Sequence, residues 1–191
     1  MSFQLNPGLY LIINLDWHLK DRIAPISFCR KILRAGCSAI QMRFKETLDK
    51  KAVEIGKRLR ELTSNFYIPF IVNDRPDIAL LCGADAVHVG QKDIPPDVVY
   101  RSFGKLAVGF STHNLYQVRQ SKNLPVNYIG FGPVFGTKSK LSPYPATGIM
   151  KLRMAAKISN APVVAIGGID DRNCKMLVEA GVRRAAVISA I

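Results

Sequence analysis

Several short apolar runs of this chain are followed at once by side chains that could hold a phosphorylated ligand. These side chains are Arg43, Lys45, Asn73, Asp74, Asp93 and Lys140. The cations suit phosphate oxygens, and two aspartates, completed by waters and substrate phosphates, suit Mg²⁺. If the runs are parallel strands of one barrel, their carboxyl ends share one rim. The spacing therefore predicts a magnesium-assisted site for a phosphorylated small molecule.

A glycine pair is suited to holding a phosphate through its backbone N–H groups. Gly167-Gly168 follows one apolar run, and loops after the last two strands of a barrel often bind phosphate. Ser111 follows another apolar run and is expected at the same rim. Each feature alone also fits a structural role, with Arg43 as an exposed charge, Asp74 as a helix cap and the glycine pair as a turn. Their recurrence at most of the strand ends favours one shared site.

The three histidines differ in how well they fit a catalytic role. His88 lies in an apolar run and, by strand alternation, shares a face with Ala86, which favours a hydrogen-bonded core or rim histidine. His113 follows a strand and is either a general acid/base or a helix-start residue, and His18 lies in a predicted loop. None of them completes a convincing Ser-His-Asp set.

The apolar runs alternate with amphipathic segments, which is typical of a parallel α/β sheet. The predicted strands are Leu9–Asn14, Ala39–Arg43, Pro69–Asn73, Ala86–Val89, Leu106–Phe110, Tyr128–Phe131, Val163–Ile166 and Ala185–Ile188. The predicted buried faces of two helices are formed by Ala52, Ile55, Leu59 and Leu62, and by Met150, Met154, Ala155 and Ile158. Eight strands favour closure into a (β/α)8 TIM barrel, in a single domain spanning residues 1–191.

The sequence stops directly after the eighth predicted strand. A full barrel has a last helix over that strand, so we expect a TIM barrel that lacks its last C-terminal helix. Either the natural chain continues, or the outer face around an exposed Val187 is left for a partner. A homo-oligomer is compatible with the second arrangement.

Bulk composition narrows the functional classes. The net charge is +13, but the basic residues are scattered, which favours a solvated basic exterior over a nucleic-acid surface. Positive charge also attracts anionic substrates. No apolar run approaches the ~20 residues of a membrane span, no secretory signal is visible, and four cysteines without a C-x-x-C pair indicate reduced thiols. We expect a cytoplasmic protein.

Seven short motifs follow one another along the chain. They are QMRFK (residues 41–45), IVNDR (71–75), GADAVHVGQKD (83–93), GFSTHN (109–114), GPVFGTKSK (132–140), VAIGGI (164–169) and VISAI (187–191). In this order the motifs resemble thiamine-phosphate synthase and the related thiazole tautomerase family over essentially the whole chain. Seven ordered motifs are more specific than one glycine pattern.

The resemblance implies a transferase of thiamine biosynthesis. Such an enzyme joins hydroxymethylpyrimidine pyrophosphate to a thiazole phosphate. Pyrophosphate leaves first, and the thiazole nitrogen captures the resulting pyrimidine cation. The resemblance implies Mg²⁺ at Asp74 and Asp93. It assigns substrate binding to Gln41, Met42, Arg43, Phe44, Lys45, Asn73, Ser111, Thr137, Ser139, Lys140, Gly168, Ile188 and Ser189, among which Lys140, Arg43, Lys45 and Ser111 also act in catalysis.

Four positions depart from the family pattern. Phe44 stands where an acidic residue is usual, Ala86 replaces a glycine, Gly136 replaces a proline, and Ser139 replaces a threonine but keeps its hydroxyl. Two alternatives remain open. A thiazole tautomerase would use His113 as its acid/base without needing the aspartates, and a non-catalytic regulatory paralogue or nucleic-acid binder would need no site. The intact aspartate pair and Lys140 favour the synthase.

Overall fold

The computed structural model describes residues 3–136 and 144–190. Within them, eight parallel strands pair in chain order and close into a barrel, because β1 pairs with both β2 and β8. The strands are β1 (Gly8–Asn14), β2 (Ala39–Arg43), β3 (Phe70–Asn73), β4 (Ala86–Val89), β5 (Ala107–Thr112), β6 (Tyr128–Phe131), β7 (Val163–Ile166) and β8 (Arg184–Val187). The helices are α1 (Leu15–Lys20), α2 (Pro25–Ala35), α3 (Asp49–Ser64), α4 (Pro76–Cys82), α5 (Pro96–Ser102), α6 (Leu115–Ser121), α7 (Gly148–Ile158) and α8 (Cys174–Glu179). The predicted (β/α)8 barrel is confirmed.

Two local features differ from the sequence-based expectation. β5 extends through Ser111 and Thr112, because both residues pair with β6. The loop predicted around His18 is wrong, since the chain forms α1 there. The Asn14 side chain caps α1 by accepting from the Asp16 N–H at 3.1 Å, and such a cap stabilises a short helix that has a weak apolar pattern.

The barrel interior is filled by a small set of side chains pointing inward from alternating strand positions. Its centre combines Tyr10 and Tyr128 with small residues such as Ala39 and Ala86. The Tyr128 ring occupies the space that a Cβ on Gly109 would need. The glycine therefore admits a large aromatic ring into a narrow barrel.

The outer core lies between the strands and the helices. The predicted face of α3 is buried there, as expected from its period of 3.6 residues. The predicted face of α7 is confirmed for Ala155, which is fully buried, and for Ile158, which packs against the core. It is wrong for Met150, which is 67 % exposed, and for Met154, which is 47 % exposed, and the fully buried Leu152 was not predicted. Leucine and alanine pack against β6 and β7, and the methionines lie on the solvent side.

The end of the barrel also corrects one expectation. Val187 is only 7 % exposed and packs with Leu177 and Val182, in the core cluster that also receives side chains of α7. The prediction that Val187 is exposed is therefore wrong. No helix among the described residues has both the length and the apolar character needed to cross a membrane.

Candidate active site

Three cavities open among the carboxyl ends of the strands, and each is defined here by its lining. The interior cavity is lined by residues that include Gln41, Arg43, Asn73, His88, Ser111 and Tyr128. The carboxylate cavity is lined by residues that include Phe44, Lys45, Asp74, Arg75 and Asp93. The glycine cavity is lined by residues that include Ser111, His113, Gly168, Ile188 and Ser189. Ser111 and Ile188 line both the interior and the glycine cavities, so these two spaces meet.

The carboxylate cavity brings the two predicted metal ligands together. Asp74 and Asp93 line this cavity together, near enough for Asp74 to raise the pKa of Asp93, and the Lys45 ammonium forms an ion pair with Asp74. The Asp93 carboxylate accepts from the Gly90 N–H at 2.7 Å. Asp74 has a positive φ of 62° and donates its N–H to the His88 carbonyl at 2.8 Å. It does not cap α4, whose N-cap is Arg75.

The pair of carboxyl groups shows why a cation fits here. Burial raises the pKa of Asp93, and the hydrogen bond with Asp74 and its charge raise that pKa further. A divalent cation would remove this repulsion and would prefer an all-oxygen donor set. Asp74 and Asp93 therefore fit Mg²⁺, with waters and substrate oxygens left to complete its coordination.

Arg75 lines the same cavity but is engaged elsewhere. Its guanidinium donates to Asp49 at 3.0 and 3.1 Å and to Asp77 at 2.7 and 2.9 Å. The hydrogen bonds that it donates to Asp77 and Asp49 raise the pKa of Arg75 above its ordinary value. Two carboxylates thereby balance the charge of Arg75, whereas Lys45 is paired with Asp74 alone, so Lys45 is the better placed of the two cations for an incoming phosphate.

Asp16 is a residue that sequence reasoning missed. Its carboxylate accepts from the Lys45 N–H at 2.8 Å, from the Thr47 N–H at 2.8 Å and from the Thr47 hydroxyl at 2.6 Å. Burial alone would raise the pKa of Asp16, but hydrogen bonds from the Thr47 side chain and the backbone outweigh it and lower that pKa. The loop carrying Lys45 is therefore held by a carboxylate from α1.

We expect Asp16→Ala to lower the free energy of unfolding at neutral pH by about 1–3 kcal/mol, because charge-assisted hydrogen bonds are lost. A lowered pKa in the folded state gives a contribution that is full above the ordinary carboxyl pKa and is lost as pH falls through the folded value. The difference in the free energy of unfolding between the wild type and Asp16→Ala should therefore become smaller in acid. Urea unfolding at neutral and acid pH measures it, with Asp21→Ala, an exposed residue ending the same helix, as the control. Equal stabilities of Asp16→Ala and wild type would contradict the assignment.

The interior cavity contains a continuous series of polar groups, of which Tyr10, Gln41 and Tyr128 are buried and His88 and Ser111 are half-buried. Gln41 Nε2 donates to the Tyr10 hydroxyl at 2.9 Å, and the two tyrosine hydroxyls lie 2.8 Å apart. His88 Nδ1 lies 3.0 Å from the Tyr128 hydroxyl, and His88 Nε2 lies 2.9 Å from Ser111 Oγ. The expectation of a hydrogen-bonded His88 is confirmed. These two partners, Tyr128 and Ser111, come from β6 and β5, which no local sequence pattern could indicate.

The glycine cavity is shaped by backbone that approaches closely. Gly168 has a φ of 65°, and a Cβ at this position would collide with the Gly136 carbonyl oxygen. Its own carbonyl accepts from Asn173 Nδ2 at 2.8 Å. At the edge of the cavity, His113 Nδ1 donates to the Gly132 carbonyl at 2.6 Å, and its ring stacks on Tyr144. This arrangement leaves an open space beside the loop after β7.

The remaining predicted site residues differ in where they lie. Met42 is fully buried in the outer core, beside α3, so its side chain does not line the three cavities. Phe44 is buried but reaches the carboxylate cavity. Thr137, Ser139 and Lys140 lie outside the described residues.

The fold and the site together define a class of protein. A closed (β/α)8 barrel with cations, a carboxylate pair and a glycine loop at its carboxyl strand ends is the architecture of barrel enzymes that handle phosphorylated small molecules.

Comparison with known proteins gives the family within this class. The sequence model of the family described as thiamine monophosphate synthase matches residues 9–191, and the chain belongs to this family. It is 39 % identical to thiamine-phosphate synthase 1 of Aquifex aeolicus, over 98 % of this chain and 86 % of that protein. It is 42 % identical to thiamine-phosphate synthase of Persephonella marina, over 98 % of this chain and 89 % of that protein.

Solved structures agree with the sequence comparison. Thiamine phosphate pyrophosphorylase from Pyrococcus furiosus superposes with a TM-score of 0.86 at 36 % identity, covering 96 % of this chain and 86 % of that chain. A mutant tryptophan synthase α-subunit from the same organism superposes with a TM-score of 0.71 at 14 % identity, covering 96 % and 87 %. The second similarity concerns the barrel fold alone. The resemblance to the thiamine-phosphate synthase family is confirmed.

Proposed function

We propose that this protein is a thiamine-phosphate synthase, which transfers the hydroxymethylpyrimidine group from its pyrophosphate to a thiazole phosphate. The observation that carries the proposal is the carboxylate pair of Asp74 and Asp93 beside Lys45, at the same strand ends as the glycine cavity. Two anionic substrates need two anion sites that open towards each other. The family of the chain supports the same activity.

The pyrophosphate of the pyrimidine substrate is assigned to the space between the interior and carboxylate cavities. Arg43 and Asn73 reach it from the ends of β2 and β3, and Lys45 reaches it from the loop that Asp16 holds. Asp74 and Asp93 would hold Mg²⁺, which supplies positive charge to pyrophosphate oxygens. The pyrimidine ring would then lie in the interior cavity, beside Gln41 and Ser111.

The phosphate of the thiazole substrate is assigned to the glycine cavity. Gly168 allows close approach of a phosphate to the backbone after β7, and Ile188 and Ser189 face it from the end of β8. Thr137, Ser139 and Lys140 are predicted to complete the two anion sites from the loop after β6. Because the interior and glycine cavities share Ser111 and Ile188, the two substrates would meet there.

The proposed chemistry needs charge stabilisation more than a nucleophile. The C–O bond to pyrophosphate breaks with its electron pair going to oxygen, and the thiazole nitrogen then forms the new C–N bond. Negative charge grows on the leaving group, where Arg43 and Lys45 can stabilise it. The aromatic and aliphatic lining around Tyr10, Tyr128 and Ile188 limits the access of water to the pyrimidine cation that remains when pyrophosphate leaves.

The decisive experiment combines the purified protein with both phosphorylated substrates and Mg²⁺ and measures thiamine phosphate and pyrophosphate. We expect both products in equal amounts, and we expect chelation of the metal to stop the reaction. Well-folded protein that forms neither product would contradict the proposal. Isomerisation of the thiazole without coupling would instead support the tautomerase alternative, in which His113 at the glycine cavity is the acid/base.

The place of action follows from the same chemistry. The substrates are small and charged, and the four cysteines are free, three of them buried. Burial raises the pKa of Cys29 to about 12 and the pKa of Cys82 to about 11, which keeps both thiols protonated and unreactive. We propose that the protein acts in the cytoplasm.

Gly168→Ala tests the phosphate assignment. We expect the KM for the thiazole phosphate to rise at least about tenfold, because the new Cβ collides with the Gly136 carbonyl and displaces the loop. The matched control is Gly181→Ala, which has a φ of 85° but meets no atom within 4 Å. It carries similar backbone strain without the collision, so it should lose stability and keep its KM. Equal KM values for the two variants would contradict the assignment.

A further inference from the structure

The interior cavity holds a Ser–His contact that resembles an activated nucleophile. Ser111 Oγ lies 2.9 Å from His88 Nε2, and Ser111 lines both substrate cavities. In a nucleophilic serine site, this nitrogen accepts the serine proton. The direction of this hydrogen bond therefore decides whether Ser111 can be activated as a nucleophile. That direction depends on which nitrogen of His88 carries the proton.

The buried groups behind His88 determine that direction. A side-chain amide N–H only donates, so Gln41 Nε2 donates to the Tyr10 hydroxyl. Tyr10 is almost completely buried, and the hydrogen-bond acceptor found for its own proton is the Tyr128 oxygen at 2.8 Å. Burial raises the pKa of both phenols above the ordinary value, so both keep their protons.

The same reasoning continues from Tyr128 to Ser111. Once the Tyr128 oxygen accepts from Tyr10, its own proton points to His88 Nδ1 at 3.0 Å. If Tyr128 donated to Tyr10 instead, the buried Tyr10 proton would lose its acceptor, and an unsatisfied buried donor is strongly disfavoured. His88 Nδ1 is then an acceptor, and a neutral imidazole with an accepting Nδ1 carries its proton on Nε2.

From this geometry we infer a one-way relay of hydrogen bonds, Gln41 to Tyr10 to Tyr128 to His88 to Ser111. The relay makes His88 Nδ1 a hydrogen-bond acceptor and places the ring proton on Nε2. Ser111 accepts that proton in a hydrogen bond and presents its own hydroxyl proton to an acceptor atom of the substrate. Tyr10, Tyr128 and His88 are positioning residues, and Ser111 is a hydrogen-bond donor rather than a nucleophile. The last step rests on the proposed function, whereas the tautomer of His88 does not.

Nitrogen-15 NMR of protein labelled at its histidine rings reads the tautomer directly. The spectrum is recorded without substrates, and a His88→Asn variant identifies the His88 signals among those of the three histidines. We expect the proton on Nε2 alone in the wild type. In Tyr128→Phe we expect mixed tautomers and a kcat about tenfold lower, the size of one lost hydrogen bond, with little change in KM.

Phe3→Leu is the matched control, because the Phe3 ring stacks on Tyr128 at 6.0 Å between centroids but takes no part in the relay. It should leave both the tautomer and kcat unchanged. A proton on His88 Nδ1, or an unchanged tautomer in Tyr128→Phe, would overturn the relay. The wild-type spectrum decides the direction even if Tyr128→Phe does not fold. It does so whether or not the protein makes thiamine phosphate, so failure of the relay and failure of the proposed function are distinguishable.

Discussion

Asp93→Ala is expected to abolish the formation of thiamine phosphate, with a loss in kcat of at least about 10³-fold. The carboxylate is one of two adjacent oxygen donors in the carboxylate cavity. Without it, the metal must compete with the Lys45 ammonium for Asp74, the one carboxylate that remains of the pair. Steady-state rates at saturating concentrations of both substrates and Mg²⁺ measure the effect.

The fold is expected to survive this substitution. Burial and the neighbouring Asp74 raise the pKa of Asp93 in the folded protein, so its ionised form is less favourable there than in the unfolded chain. In metal-free protein its stabilising contribution is complete at low pH and is lost as pH rises through the raised value. Asp93→Asn should therefore be at least as stable as the wild type at neutral pH, as thermal unfolding with a chelator would show.

A surface aspartate provides the control for the first prediction. Asp97 lies in the first turn of α5, is partly exposed and pairs with Arg101 at 2.8 Å. Asp97→Asn changes the net charge by the same amount, and we expect it to keep full activity. Substantial coupling by Asp93→Ala, at the Mg²⁺ concentration that saturates the wild type, would sink the metal assignment.

Arg43→Met is expected to lower kcat/KM for the pyrimidine pyrophosphate by about 10²–10³-fold, because a fixed cation facing the growing negative charge is lost. Arg43 ends β2, is half-buried and lines the interior cavity. Methionine keeps much of the aliphatic stem, so stability should change little. Rates at low substrate concentration and urea unfolding measure the two quantities separately.

Arg43→Lys separates charge from geometry. Lysine retains the positive charge but not the planar fork that binds two phosphate oxygens, so its rate should lie between those of the wild type and Arg43→Met. Arg101→Met, an exposed change on α5, should leave kcat/KM unaltered. If Arg43→Met had the same kcat/KM as Arg101→Met, Arg43 would be a surface charge and the pyrophosphate would lie elsewhere.

Much of the barrel could be predicted because its signals are local. Parallel strands covered on both faces are short continuous apolar runs, and each of the eight runs became a strand within two residues of its predicted ends. α1 was missed because its stability depends on the cap from Asn14 and on contacts of Asp16 with the loop after β2. The buried face of α7 was misjudged because a methionine pattern does not say which side meets the sheet.

The candidate site divides in the same way. By itself the sequence determined which polar residues follow which strands, and the parallel barrel then brings those residues to one rim. Only the tertiary structure decided how they meet. It placed Asp93 against Asp74, engaged Arg75 with two other carboxylates, and turned Met42 into the outer core. The physical reason is that strand ends are fixed by backbone pairing. Hydrogen-bond partners are fixed instead by side chains that converge from distant parts of the chain.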